Sequence, residues 1–168
     1  MFIAHIPAGY ISSRLLFSRF QRYGITLGNF LWAGICGAVF PDADLLYFYL
    51  MDHRQHPHHS YLTHFPLLWA CLALISVAWL YLGRTKDRAV LALIFSLNGL
   101  LHMVLDTIVG DIRWLAPFSD RAYALFTVPA VYQPWWLNFF LHWSFGLELL
   151  LVLIALYLWR KDAPRIFP

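Results

Sequence analysis

Five of the chain's eight histidines fall between Asp52 and His64, in the run Asp-His-Arg-Gln-His-Pro-His-His-Ser-Tyr-Leu-Thr-His, flanked by two long apolar stretches. Neutral imidazole is the commonest metal-binding side chain, and nearby carboxylates complete the donor set that zinc-like cations favour. A solvated histidine-rich loop without a ligand is the bland alternative. Three further groups carry the same chemistry. His102 and Asp106 stand one helical turn apart and share a face with Asn98. Asp42 and Asp44 follow Pro41, and His5 lies near the N-terminus. Ionisable groups at membrane depth are costly unless paired or metal-bound, which makes all of these functional candidates. His142 reads equally as a satisfied core histidine, and Glu148 as a protonated or hydrogen-bonded buried carboxyl.

The elements that must position these groups are membrane helices. Of 168 residues, 61% are hydrophobic and 12% charged, the balance of an integral membrane protein, read here as one domain over residues 1–168. Cys36 and Cys71 sit inside apolar runs and read as buried thiols outside any disulfide framework. Met1 to Phe20 has no basic residue before Arg14 and holds Pro7 and Gly9, so it reads as a helix entered through His5-Ile6-Pro7 and not as a signal peptide. Tyr23-Gly24 turns the chain. The run from Ile25 to Leu50 is interrupted at Pro41, about 24 Å of helix rise from its start, which brings Asp42 and His5 to a similar depth. Leu62 to Leu82 is the clearest span, Ala89 to Val109 crosses back, and Trp136 to Trp159 is the last, after an aromatic-rich interfacial loop. The expected fold is therefore all-α: a polytopic membrane helical bundle of about five helices, four clear spans plus an N-terminal helix.

Charge orients the bundle. Arg14, Arg19, Arg22, Arg84, Lys86, Arg88, Arg160, Lys161 and Arg165 fall on one side of this arrangement, and Arg54, Arg113 and Arg121 on the other. The first side is then cytoplasmic, the N-terminus outside and the C-terminus inside. The net charge of +3 is thus a matter of topology, and no nucleic-acid partner is expected.

Pro41-Asp42-x-Asp44, His59-x-x-x-Thr63-His64, His102-x-x-x-Asp106 and the segment Gly110 to Phe118, with the early His5, resemble in order and coverage the YdjM-like family of inner-membrane, metal-dependent hydrolases. Ser60 departs from a His-Arg-x-x-Thr-His pattern, and His53-Arg54 offers a second register. The ligand order also looks, more loosely, like that of zinc-dependent phospholipases C and P1-type nucleases, whose later His-x-x-x-Glu is not reproduced by His142 and Glu148. The resemblance implies a divalent cation, one or two zinc-like ions, held by His5, Asp42, Asp44, His59, His64, His102 and Asp106 at the outer face of a bacterial inner membrane. Asp42 or Asp106 would bridge, and Arg113, close after the site helix, would hold an anionic group such as phosphate or, equally, meet lipid headgroups at the interface. The implied substrate is a membrane lipid or lipid-linked phosphate. A metal transporter and a non-catalytic protein with a structural metal are the competing classes.

Overall fold

Pro7 lies in the first turn of α1 (His5–Phe20), where its missing N–H leaves no donor unpaired. In this computed structural model, which describes residues 3–166, the chain then turns through Gly24, whose φ of +77° is one that side-chain-bearing residues seldom adopt. The domain limits 1–168 and the stretch read from Met1 to Phe20 include Met1, Phe2, Phe167 or Pro168, which lie outside the described residues. The Thr26 hydroxyl accepts from Asn29 N and caps α2 (Leu27–Val39). Pro41 ends α2 as expected, but by a 3-10 turn over Phe40–Ala43 that leads directly into α3 (Asp44–Leu50). Irregular chain with two 3-10 turns, His58–Ser60 and Leu62–His64, follows. Then come α4 (Pro66–Leu82), α5 (Lys86–Asp106), a loop, α6 (Trp136–Phe140) and α7 (Ser144–Ile166). Among the described residues there is no strand, only an isolated bridge between Ile112 and Tyr123, so the fold is all-α.

Helix α5 is the centre of the bundle, packed against α4, α2 and α1. Glycines set these distances. A Cβ on Gly9 would stand 2.6 Å from that of Ala38, one on Gly37 would collide with the Phe95 carbonyl, and one on Gly99 with the Trp69 ring. Ile25, Phe30, Leu80, Ala89, Val90 and Ile94 fill the basic end of the bundle. Trp69, Met103 and Ile112 pack near the other end. Helix α7 rests on α1 and leaves most of its apolar surface exposed. Its Glu148 is buried, as expected of a hydrogen-bonded carboxyl: Oε2 accepts from Ile3 N at 2.6 Å and Ala4 N at 3.2 Å.

Three expectations need correction. Stretches long and apolar enough to cross a membrane number three among the described residues, Leu27–Leu50, Lys86–Asp106 and Trp143–Lys161, and not four. Leu62–Leu82, the clearest span by sequence, loses its first turn to the Leu62–His64 coil and begins as a helix only at Pro66. The last span is broken before Ser144, because Asn138 ties α6 to its loop, accepting from Val131 N and Tyr132 N and donating to Tyr132 O and Trp135 O. Cys36 and Cys71 are free, as expected, but exposed on helix faces and not buried.

Candidate metal centre

The end of the bundle opposite the Lys86 terminus of α5 gathers the polar side chains. Pro41 stops α2 there and presents Asp42; the final turns of α5 present His102 and Asp106; α1 begins there with His5. The two 3-10 turns fold His58, His59 and His64 over this end.

His102 is fully buried, and its Nδ1 lies 2.7 Å from the Ala38 carbonyl, which can only accept, so Nδ1 carries the proton. Its Nε2 therefore presents a lone pair, has no hydrogen-bond partner, and lies 3.1 Å from Asp106 Oδ2 and 3.7 Å from Asp42 Oδ1. His64 repeats the arrangement. It too is fully buried, with Nδ1 2.6 Å from Asp44 Oδ2 and an Nε2 without a hydrogen-bond partner, 3.7 Å from Asp42 Oδ1 and 4.0 Å from Asp106 Oδ2. Lone pairs on both Nε2 atoms would repel the two carboxylates, and either a proton or a metal cation between them removes that repulsion; at His64 burial lowers the imidazole, but Asp42 and Asp44 outweigh it and raise it above its usual value.

Donors around a four-coordinate zinc-like ion, with bonds of about 2.0–2.1 Å, stand roughly 3.3 Å apart. The distances here approach that spacing. Three donor sets each have all their atoms within 4.8 Å of one another: His64, His102 and Asp106; His5, Asp42 and His102; and His58, His59 and His64. Asp106 faces two of these regions, with Oδ1 3.2 Å from His5 Nε2 and Oδ2 3.5 Å from His59 Nε2. One carboxylate so placed suits a bridging role between two cations. The His5 and His102 rings stack at 3.8 Å, which locks both planes. Behind the donors, Asp44 orients His64 and also accepts from the Thr63 hydroxyl, a carboxylate–histidine pairing typical of metal sites.

Electrostatics differ across the loop. Burial alone would lower the His58 imidazole, but its Nε2 is 3.2 Å from Asp42 and its Nδ1 3.1 Å from Asp44, and these partners raise it to about 9. Burial dominates at His59 and pushes it down to about 4, so that ring is neutral at physiological pH.

Of the residues expected from sequence, His5, Asp42, His59, His64, His102 and Asp106 converge at this end of the bundle. Asp44 stands behind His64, which its Oδ2 holds, while its buried Oδ1 has no hydrogen-bond partner and lies 3.1 Å from His58 Nδ1 on the side of the cluster. Arg113 is elsewhere, 3.6 Å from the exposed Asp120 and outside the cavity that opens from the cluster. His142 pairs with the Ser144 hydroxyl at the break before α7. His58 is the member that spacing to Thr63 passed over. The signal for it was the Asp42–Asp44 pair, two carboxylates on one turn with room for more than one imidazole between them.

Apolar helices that collect histidine and aspartate at one end define a polytopic membrane protein with a metal-type donor cluster. The family model described as YdjM inner membrane protein matches residues 1–163, and the chain belongs to that family. No curated protein and no solved structure is significantly similar to it.

Proposed function

We propose that the protein is a metal-dependent hydrolase of the inner membrane that cleaves a phosphoester of a lipid or lipid-linked substrate. The observation that carries this reading is the pair of buried, unpartnered Nε2 atoms of His64 and His102 facing Asp42 and Asp106. These four, with His5, His58 and His59, would hold one or two divalent cations, and a mixed imidazole–carboxylate set suits zinc. When bound, such a cation lowers the pKa of water toward neutrality and polarises a phosphoryl oxygen. The chain's own residues do the rest. Ala38 O and Asp44 hold the two histidine tautomers, and Asp106 keeps His5 and His59 in register.

The cluster opens on a cavity of about 540 Å³ that Asp42, His58, His59 and Asp106 help to line, which supports catalysis over a closed structural site. A transporter would continue polar groups toward the far end of the bundle. Here Ser13, Ser76 and Ser96 return their hydroxyls to carbonyls of their own helices, and Asn98 is engaged by Ser12, Ser13 and Ile94 O. The basic residues of the α1–α2 and α4–α5 turns and the end of α7 support an orientation with the cluster at the non-cytoplasmic face, N-terminus outside and C-terminus cytoplasmic.

Metal content and turnover on short-chain phosphatidate and p-nitrophenyl phosphate esters, measured on purified protein beside His102→Ala and Asp106→Ala, test the reading. Bound zinc with turnover lost by about 100-fold or more in both variants is expected. Bound zinc without turnover on any ester would move the assignment to a structural metal.

A further inference from the structure

We infer that Arg54 is the anion-recognition residue of this site and that, with the apolar wall of the same cavity, it selects a phosphate group carried on a hydrocarbon chain over free phosphate. The inference rests on the hydrolase reading above and adds to it the residue that recognises the anion and the wall that favours an alkyl-bearing phosphate over the free anion.

The cavity is two-sided. Donors line one part, and Leu45, Phe48, Trp135 and Phe139 line the rest. A free anion gains nothing from those apolar side chains, whereas an alkyl chain is drawn to them. Two carboxylates at the donor end repel an anion, so a permanent positive charge besides the cation is needed to hold one. Among the residues lining the cavity, Arg54 is the one with such a charge, and its planar fork matches phosphate in a bidentate way.

The backbone is bent to put it there. His53 and Arg54 have φ of +49° and +66°, two consecutive side-chain-bearing residues in the left-handed region, a conformation that persists only where surrounding contacts impose it. The contacts are visible. Arg54 N donates to Phe48 O at 3.0 Å and Gln55 N to Asp52 O at 3.1 Å. The buried Asp52 carboxylate takes His56 N at 2.9 Å and lies 2.7 Å from His56 Nδ1. The same turn leaves the Arg54 guanidinium 5.7 Å from the Tyr49 ring, itself part of the cavity wall. Strain kept by a buried carboxylate at the mouth of a donor cluster is the signature of a positioned binding residue.

The test uses zinc-loaded protein in a neutral detergent, with zinc counted per chain and binding of hexylphosphonate, methylphosphonate and hexanol followed by calorimetry. Wild type is expected to bind hexylphosphonate about tenfold or more tightly than methylphosphonate, the gain of burying an alkyl chain. Arg54→Gln is expected to weaken both phosphonates by about tenfold, to leave hexanol and zinc unchanged, and Arg113→Gln to change none of them. Should Arg54→Gln fail to hold zinc, Arg54→Lys, which keeps the charge and loses the fork, is expected to weaken both phosphonates with zinc retained. Zinc-loaded variants at position 54 that bind both phosphonates as wild type does overturn the role of Arg54. Equal affinity of wild type for the two phosphonates overturns the substrate class. A wild type without zinc overturns the hydrolase reading and this inference with it.

Discussion

The tautomers of His64 and His102 are set by what their Nδ1 atoms touch. Removing Asp44 by Asp44→Asn keeps the shape but weakens the hold on the His64 tautomer, and zinc affinity measured by competition with a chelator is expected to fall about 10–100-fold. Unchanged affinity would mean that His64 needs no support. Protons compete at His58. Its imidazole titrates near 9 in the metal-free fold against 6.5 ordinarily, so its charged form stabilises that fold fully below pH 6.5, and the stabilisation is lost as pH rises through 9. Zinc gains as the proton leaves. The difference in thermal unfolding between zinc-loaded and chelator-stripped protein is therefore expected to widen from pH 6.5 to 9, and a narrowing would contradict the assignment. At this scale the gathering of histidine and aspartate was largely legible. Residue type and density pointed to the histidine loop, and one-turn spacing to His102 and Asp106. What spacing could not show was Asp44 dividing its oxygens between His64 and His58, or Arg113 pairing with Asp120 while Arg54 lines the cavity, since both depend on how irregular chain folds.

Elements bring the donors together, and two contacts carry that task. Gly37 lets α2 approach α5 closely enough for Asp42 to reach His102, and a methyl there meets the Phe95 carbonyl, which belongs to backbone and cannot swing aside. Gly37→Ala is expected to cost about 1–3 kcal/mol in unfolding experiments and to reduce zinc per chain. Full zinc and unchanged stability would show that the helices do not need this approach. At the edge of the bundle, Glu148 of α7 takes the N–H groups of Ile3 and Ala4, just before His5, and so fixes the start of α1 where a helix dipole favours negative charge. Glu148→Ala leaves the buried Ala4 N–H and the part-buried Ile3 N–H without their acceptor, an expected loss of about 1–3 kcal/mol, with greater proteolysis at the N-terminus as the readout. Hydrophobic runs and prolines made α1, α2, α4 and α5 readable to within a few residues. The short α6 before Ser144 was not readable, because one asparagine side chain ties it to four backbone atoms of the preceding loop.

For the whole molecule, the central claim is that distant donors from α1, the 3-10 turn after α2, the histidine loop and α5 meet at one end of a membrane bundle to hold a cation. The bundle itself followed from composition, while the number of spans did not, since the shortened α4 and the Arg14- and Arg19-bearing α1 both fall short of a plain apolar span. Orientation is checked by single cysteines in a Cys36→Ala, Cys71→Ala background. Asp120→Cys is expected to react with a membrane-impermeant thiol reagent in intact cells and Arg84→Cys only after lysis, and the reverse pattern would invert the topology. The most direct test of the central claim is zinc per chain, counted by mass spectrometry on protein purified without added metal and again after zinc loading, for wild type and for His102→Ala. One or two ions in wild type, lost in His102→Ala with the helical content unchanged, is the predicted result; wild type that holds no ion after loading, or His102→Ala that holds as many as wild type, would contradict it.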